Sequence, residues 1–249
     1  MKQGIFTIQS NEALTSTVYK MVLVGDASAI TSSGQFVNIL LDGLFLRRPI
    51  SVNDCRDRGH GHELTLIYKV VGKGTEKMAA MSAGGKLDVL IGLGNGYDLT
   101  PAGDRPLLIG GGVGVPPLYM LAKKLIEQGA VPTVILGFNT KDEIFCEEDF
   151  KALGCRTLVT TVDGSYGVKG FVTNAMEGLD YTYFYTCGPE PMLKAVYRAS
   201  TTSGQFSFEE RMGCGFGACM GCSCKTVTGY KRICKEGPVL VKEEILWEK

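Results

Sequence analysis

The spacing of hydrophobic and polar residues changes twice along the chain and divides it into three segments. Over the first hundred residues, short runs of apolar residues are separated by polar and glycine breaks. Such runs predict β-strands, and six of them at this spacing are typical of a small antiparallel barrel. A short helix is expected near residues 75–82. The predicted strands cover residues 4–8, 17–24, 35–41, 49–53, 63–71 and 86–91.

From about residue 104, strand-like and helix-like runs alternate. Strands are predicted at 107–109, 131–138, 156–161 and 181–186, and helices at 118–127, at 142–153 and from about 191. Alternation of this kind predicts a parallel sheet with helical crossovers, whose ligands bind at the carboxyl ends of the strands. After residue 206 the periodicity largely disappears, which indicates loops around an inorganic centre. The predicted architecture is a β-barrel, an α/β domain and a small C-terminal domain, covering 1–103, 104–205 and 206–249.

Composition and charge narrow the class of protein. The chain has 26 basic and 26 acidic residues, and this balance argues against a nucleic-acid partner or a membrane surface. The long uncharged stretch, 106–122, contains a glycine run and two adjacent prolines, so it does not predict a transmembrane helix. The N-terminus lacks the apolar region of a secretory signal. We therefore expect a cytoplasmic protein.

Five of the nine cysteines lie between residues 214 and 234. Cys214, Cys219 and Cys222 have the spacing of plant-type [2Fe–2S] proteins, and Cys234 follows after a shorter gap than usual. The alternative is a zinc site, although zinc sites usually contain two C-x2-C pairs. Cys224 is a fifth thiol beside a site for four ligands.

Two motifs in the barrel segment, one basic and one containing glycine, fit a phosphorylated cofactor. Arg48 begins the sequence Arg-Pro-Ile-Ser, in which the guanidinium can bind a pyrophosphate and the hydroxyl a flavin nitrogen. Gly74 and Thr75 precede the short helix and form a second predicted phosphate cradle. Each motif taken alone also fits an ordinary solvated surface.

Two motifs follow strands of the parallel sheet. Gly110, Gly112 and Gly114 lie in the sequence GGGVGVPP, between a strand and a helix, where a dinucleotide loop is expected. The complete G-x-G-x-x-G fingerprint is absent, so a plain tight turn is the alternative. Cys187 and Gly188 follow the strand predicted to end the sheet, where a buried free cysteine is the alternative. The second parallel strand ends near Lys141 without an arginine, which favours NAD(H) over NADP(H).

The motifs in combination extend along nearly the whole chain. They are RPIS, GGGVGVPP, DGSYG (163–167), CGPEPML and ERMGCGFGACMGC, followed by ICKEGPV. Together they resemble the electron-transfer subunits of NAD-dependent, class 1B dihydroorotate dehydrogenases, which are iron–sulfur flavoproteins of the ferredoxin-reductase superfamily. The resemblance implies a [2Fe–2S] cluster on Cys214, Cys219, Cys222 and Cys234. It implies FAD at Arg48, Pro49, Ile50 and Ser51, at Ile67, Tyr68 and Lys69, and at Gly74 and Thr75.

The sequence departs from the family at two positions near the expected flavin. Relatives commonly have G-P-L-G-N-G at residues 91–96, where this chain has IGLGNG, and arginine at the position of Lys69. These changes affect the expected local contacts rather than the cofactor.

The resemblance also implies a relay in which electrons pass between NAD(H), FAD, the cluster and the FMN of a catalytic subunit that interconverts dihydroorotate and orotate. A heterotetramer with two copies of each chain is expected. The FMN subunit is expected to be a separate chain, because a (β/α)₈ domain alone needs about 250 residues. Two alternatives are a free-standing NAD(P)H:acceptor reductase of the same superfamily and a non-redox zinc module.

Overall fold

Six antiparallel strands close into the barrel that the first hundred residues predict. The computed structural model describes residues 1–59 and 61–247. The barrel strands follow the order β1-β2-β5-β4-β3-β6, and α1 (Lys73–Ala79) packs Met78 into the barrel core. The strands are β1 (Lys2–Ala13), β2 (Val18–Gly25), β3 (Phe36–Leu40), β4 (Arg48–Asp57), β5 (His62–Lys69) and β6 (Lys86–Leu93).

The two faces of β3 have different surroundings. Val37 and Ile39 are fully buried in the barrel core. Phe36 and Asn38 alternate with them and so face outward, where the C-terminal segment covers them. The outer face of this strand is therefore a platform for another part of the chain.

The α/β segment forms a seven-stranded sheet with the order β10-β9-β8-β7-β11-β12-β15. Its helices are α2 (Pro117–Glu127), α3 (Glu147–Ala152), α4 (Val172–Met176) and α5 (Glu190–Ala199). Successive strands run outward from β7 on one side and from β11 on the other. The crevice between β7 and β11 is thus the topological switch point, where open α/β sheets bind ligands. The strands are β7 (Pro106–Gly111), β8 (Thr133–Phe138), β9 (Arg156–Thr161), β10 (Val168–Lys169), β11 (Tyr183–Cys187), β12 (Gly204–Ser207) and β15 (Val239–Val241).

The sheet continues beyond the strand predicted to be its last. After β11 the chain adds β12 in parallel, and β15 then pairs antiparallel to β12. The segment after residue 206 also contains a hairpin of β13 (Ser223–Thr226) and β14 (Gly229–Arg232). β12, β13, β14 and β15 are three or four residues long, too short for a period of two to be recognised in the sequence.

The helix predicted over 142–153 is wrong in its first half. Lys141–Glu143 form a single 3₁₀ turn, and α3 begins only at Glu147. Between them, Cys146 adopts a left-handed conformation with φ of 64°, which a continuous helix does not allow. The short helix α4 was also not predicted. Within residues 1–59 and 61–247, no helix is long and apolar enough to cross a membrane.

A polar contact fastens the barrel to α2. Asn53 Nδ2 on β4 donates to the Pro116 carbonyl at 3.0 Å, directly before the helix. The neighbouring Asp54 carboxylate is buried, and it binds Lys123 Nζ of α2 and Arg56 Nε, each at 2.7 Å. A buried carboxylate with two cationic partners resists separation of the surfaces that it joins. This contact fixes the position of the dinucleotide loop relative to the barrel.

Candidate functional site

The two glycine motifs of the α/β segment meet at the switch point. β7 and β11 are adjacent parallel strands, and Cys187 lies opposite Gly110 in their register. Gly114 packs directly on the main chain of the second motif, since a Cβ there would be 2.6 Å from the Gly188 Cα and closer still to the Cys187 carbonyl. No side chain larger than hydrogen fits between these backbones.

The neighbouring glycines are restricted by side chains as well. A Cβ at Gly110 would be 2.9 Å from the Val115 Cα, and one at Gly188 would be 2.6 Å from the Met192 methyl carbon. Gly112 has φ of +51° and nothing within 4 Å of its missing Cβ. The two loops thus form one glycine-lined edge with open space at Gly112, and this shape can accommodate a dinucleotide.

Cys187 is a protonated thiol in these surroundings. Burial raises its pKa to about 12, and a hydrogen bond with the Ser207 hydroxyl opposes part of that rise. Ser207 lies opposite Cys187 in the register of β11 and β12. A thiol of this kind acts as a small polarizable packing group rather than as a nucleophile.

The two barrel motifs also converge, although 25 residues separate them in the sequence. The Arg48 side chain crosses the start of α1, where a Cβ on Gly74 would be 2.8 Å from the guanidinium carbon. The Thr75 hydroxyl is occupied within its own turn, because it accepts from the Val71 N–H at 2.9 Å and donates to the Gly72 carbonyl at 3.0 Å. The charge of Arg48, rather than this hydroxyl, is therefore available for a phosphate.

The second expected flavin motif, Ile67–Lys69 on β5, has only some of its side chains in reach of a ligand. Tyr68 is buried in the barrel core, and its hydroxyl donates to Asn11 Oδ1 at 3.0 Å. Burial raises the pKa of Tyr68 to about 12. Ile67 alternates with it and packs in the cluster of apolar residues shared with the α/β segment, while Lys69 is exposed. A ligand between barrel and sheet can contact Ile67 and the main chain, but not the Tyr68 ring.

The Arg-Pro-Ile-Ser strand faces the same space. Ile50 packs toward the barrel core, so Pro49 and Ser51 lie on the outer face of β4. Two residues beyond Ser51, Asn53 contacts the α2 segment, so this face of β4 is turned toward the α/β segment. A cradle with a guanidinium, a hydroxyl on a strand and an apolar wall fits a flavin dinucleotide.

In the cysteine loop, which contains Cys214, Cys219 and Cys222, main-chain N–H groups point at the sulfur atoms. Cys214 Sγ accepts from Ala218 N at 3.2 Å and from Cys219 N at 3.4 Å, and Cys219 Sγ accepts from Gly221 N at 3.5 Å. Burial alone would raise the pKa of Cys214, but the N–H groups of Phe216, Cys219 and Ala218 lower it to about 6. These main-chain N–H groups therefore stabilise the thiolate of Cys214.

The cysteines form two pairs. The Cys214 and Cys219 thiols are hydrogen-bonded neighbours, and Cys222 and Cys234 form a second, buried pair. The Cys234 N–H also donates to Cys222 Sγ at 3.4 Å. In the part of the chain that the structure describes, no three His, Cys, Asp or Glu side chains gather as a site for one metal ion. Two pairs fit a two-iron cluster, with two thiolates for each iron.

The fifth thiol has a different environment. Cys224 lies on β13, opposite Lys231 of β14. Burial raises the pKa of its thiol, and Glu210 and Glu190 contribute in the same direction. These surroundings favour a neutral thiol.

Residues that the sequence analysis did not select hold the cysteine loop in place. Asn38 Nδ2, on the outer face of β3, donates to the Cys214 carbonyl at 3.2 Å. Arg232 binds the Glu236 carboxylate and donates to the Gly217 carbonyl at 2.7 Å. The sequence around these residues has no pattern that would select them. The partner of Asn38 lies far away in the sequence, and Arg232 and Glu236 resemble an ordinary pair of surface charges.

Asn95 performs the same task from the barrel side, within the segment that departs from the family pattern. Its side-chain amide donates to the Val239 carbonyl at 2.8 Å and accepts from the Val239 N–H at 3.1 Å. Gly94, with φ of +76°, packs against Pro238 and Gly237. The asparagine and this glycine of the family pattern are therefore present and anchor the C-terminal segment.

Comparison with protein families identifies the last two segments. Residues 209–246 match the iron–sulfur cluster binding domain of dihydroorotate dehydrogenase B, and residues 108–198 match an oxidoreductase NAD-binding domain. The predicted iron–sulfur centre and NAD-binding segment are confirmed, and the zinc alternative has no support.

Structural comparison confirms the predicted architecture. The structure of an NADH-dependent reduced ferredoxin–NADP oxidoreductase, described for flavin-based electron bifurcation, superposes with a TM-score of 0.88. It is 31% identical and covers 98% of this chain and 90% of its own. The ferredoxin–NADP⁺ reductase of Neisseria gonorrhoeae superposes with a TM-score of 0.69 at 18% identity, covering 80% of this chain and 90% of its own, and so shows the shared fold.

Curated relatives match over nearly their full length. A protein of Fusobacterium nucleatum is 44% identical over 98% of this chain and 99% of its own, and one of Bacillus pumilus is 42% identical over 98% of each. Both are named as the electron transfer subunit of dihydroorotate dehydrogenase B (NAD⁺). At this identity and coverage, the chain belongs to the family of electron-transfer subunits of NAD-dependent dihydroorotate dehydrogenase B.

Proposed function

We propose that the protein relays electrons between NAD(H) and the catalytic subunit of a dihydroorotate dehydrogenase through FAD and a [2Fe–2S] cluster. One observation carries the proposal. The cysteine loop lies on the same face of the barrel as β4, the flavin strand, which carries the proposed flavin residues Arg48–Ser51. Asn38 and Phe36 on β3 contact the C-terminal segment, and their partners across the ladder are Pro49 and Ser51 on β4. Neighbouring strands are about 4.8 Å apart, and this proximity supports adjacent sites for the two cofactors.

At the dinucleotide end, Gly110, Gly112 and Gly114 provide the main-chain edge for NAD(H), and Cys187 and Gly188 lie at the nicotinamide. The close packing of Gly114 on the Cys187 carbonyl supports this role, because it makes one continuous edge of two loops. The Asp54–Lys123 contact holds that edge against the barrel.

For FAD, Arg48 and Gly74 hold the pyrophosphate, and Pro49, Ile50 and Ser51 hold the ring on the outer face of β4. From β5, Ile67 supplies an apolar wall, Tyr68 its main chain and Lys69 an exposed charge, while Thr75 orders the turn before α1. Held there, FAD would supply the exchange between two-electron hydride chemistry and one-electron transfer. The residues of the chain provide orientation and exclude water.

For the cluster, we propose Cys214 and Cys219 as the ligands of one iron and Cys222 and Cys234 as those of the other. The observed pairing and the N–H groups directed at the sulfurs support this assignment. Cys224 remains a free thiol. We also retain 1–103, 104–205 and 206–249 as functional units, while β15 ties the third unit to the sheet of the second.

The partner is an FMN-containing dihydroorotate dehydrogenase chain, in a complex with two copies of each chain. It binds at the cysteine loop, where Phe216 and Met220 are exposed apolar residues beside the ligands. Phe45, which is fully exposed, lies on the loop between β3 and β4, and the following Arg47 contacts the Asn38 carbonyl at 3.3 Å. Exposed apolar residues such as Phe216 and Met220, which neighbour cluster ligands in the sequence, support a protein interface at this loop.

The test is purification of the chain with and without the FMN subunit, followed by an assay of NAD⁺-dependent oxidation of dihydroorotate. Only the complex should catalyse this reaction, while the chain alone should still oxidise NADH with an artificial acceptor. A chain that reduces ferredoxin rapidly and does not associate with the FMN subunit would instead be a free-standing reductase.

A further inference from the structure

Asn38 lies at the boundary between the two proposed cofactor sites. Its side chain is 1% exposed and occupies the outer face of β3. Across the ladder it pairs with Pro49, in the proposed flavin strand, and above it lies the cysteine loop. Polar side chains buried this deeply normally make hydrogen bonds.

The loop side of Asn38 is closely fitted. Its amide nitrogen donates to the carbonyl of Cys214, the first proposed ligand, at 3.2 Å. Gly215 allows this approach, since its φ is +78° and a Cβ there would be 3.2 Å from Asn38 Cγ and nearer still to the amide nitrogen. Asn38 therefore fixes the main chain of a proposed cluster ligand at the point where the loop meets the barrel.

The other half of the amide has no partner within the described residues. Asn38 Oδ1 is buried and accepts no hydrogen bond from residues 1–59 or 61–247. A leucine of similar volume would remove this uncompensated atom and would pack against Phe36 and the apolar residues beneath the loop. The closely fitted contact with the Cys214 carbonyl, rather than this oxygen, points to the role of Asn38 in positioning the loop.

We propose that Asn38 is the positioning residue that couples the cluster to the flavin. It holds the Cys214 main chain beside β4, the strand that carries the proposed flavin residues Arg48–Ser51. The inference rests on the proposed roles of Cys214 and of Pro49–Ser51. Asn38 is expected to affect the second half of the relay alone, because the dinucleotide edge lies at the carboxyl ends of β7 and β11.

The experiment uses the complex with its FMN subunit and two substitutions that approach the contact from opposite sides, Asn38→Leu and Gly215→Ala. In both, reduction of the flavin by NADH should stay within twofold of the wild-type rate. Electron transfer from flavin to cluster should fall at least tenfold, and the EPR spectrum of the reduced cluster should change. The equilibrium ratio of reduced cluster to reduced flavin should change about tenfold. This corresponds to a change of about 59 mV in the difference between their one-electron reduction potentials. Leu40→Ala, on the same face of β3 but away from the loop, should behave as wild type in every measurement.

Iron and acid-labile sulfide are measured in each variant, and Asn38→Ser replaces Asn38→Leu if the latter loses its cluster. An unchanged cluster potential and EPR spectrum in variants with two irons per chain would overturn the coupling role. An equal loss of NADH-to-flavin transfer would overturn it as well, because the effect would then be global. Cys214→Ser tests the underlying ligand assignment separately: an intact cluster in that variant refutes the proposed ligand, whatever Asn38 does.

Discussion

Replacement of Gly114 by alanine tests whether the contact between the two loops sets the position of the nicotinamide. The new Cβ would lie 2.6 Å from the Gly188 Cα, whereas ordinary contact begins at 3.4 Å. Because the Cys187 carbonyl is nearer still, the loops must separate by more than 0.8 Å, the difference between 3.4 Å and 2.6 Å. Both neighbours are main-chain atoms, so no side-chain rotation relieves the clash. Overpacking of this kind costs about 1–3 kcal/mol of stability.

The same displacement should also slow hydride transfer. A misplacement of about 1 Å between reacting groups can slow a reaction about 100-fold. We expect hydride transfer from NADH to FAD, followed by stopped-flow bleaching of the flavin, to slow by about that factor. The visible spectrum of flavin and cluster should be retained, because Gly114 contacts neither proposed site.

The control for this prediction is Gly4→Ala. A Cβ at Gly4 makes only an ordinary contact of 3.5 Å with Phe6 and lies far from the dinucleotide loop in the sequence. This variant should reduce its flavin at the wild-type rate. If Gly114→Ala retains FAD and also reduces it at the wild-type rate, the loop contact does not position the nicotinamide and the argument fails.

Four further outcomes are expected. Cys234→Ser should lose iron and acid-labile sulfide, whereas Cys224→Ser should keep two irons per chain, because only Cys234 belongs to a buried cysteine pair. Cys187→Ala should slow flavin reduction by NADH and leave the cluster spectrum intact, since a packing group beside the nicotinamide is removed. NAD(H) should be preferred over NADP(H) in kcat/KM, because the second parallel strand ends without an arginine for the 2′-phosphate. Asp54→Asn should lower the free energy of unfolding by about 1–3 kcal/mol, measured by denaturant titration, because Lys123 loses its buried counter-charge.

Each of these predictions has a contrary result. Iron lost from Cys224→Ser and kept in Cys234→Ser would reverse the ligand assignment. Hydride transfer at the normal rate in Cys187→Ala would remove this residue from the nicotinamide site. Equal kcat/KM for the two dinucleotides would show that another group accepts the phosphate. An Asp54→Asn variant as stable as wild type would mean that the buried ion pair only compensates its own desolvation.

The sequence alone determined the features whose physical signal is local. Short apolar runs between polar and glycine breaks predicted the barrel strands, and the apolar positions 118, 121, 122 and 125 predicted the buried stripe of α2. The cysteine spacing is also local, because three ligands of one cluster must come from a single loop. These signals predicted the barrel, the parallel sheet and an iron–sulfur segment, and the comparisons confirmed all three.

Short or strained elements left no such signal. β12 and β15 have only four and three residues, so the extension of the sheet was not predicted. Cys146 has no sequence feature that indicates a left-handed conformation, and the helix predicted across it was therefore too long. In each case the deciding interactions are with distant parts of the chain.

Only the tertiary structure decided which motifs meet. Gly114 and Gly188 are 74 positions apart, and Asn38 and Cys214 are 176 apart, yet both pairs are in contact. Such contacts arise because parallel strands bring their carboxyl ends to one edge and because the barrel exposes every second residue of β3 to the segment that folds over it. The spacing of the cysteines indicates which of them can bind a cluster from one loop. The distance between that loop and the flavin strand depends on the packing of the whole chain.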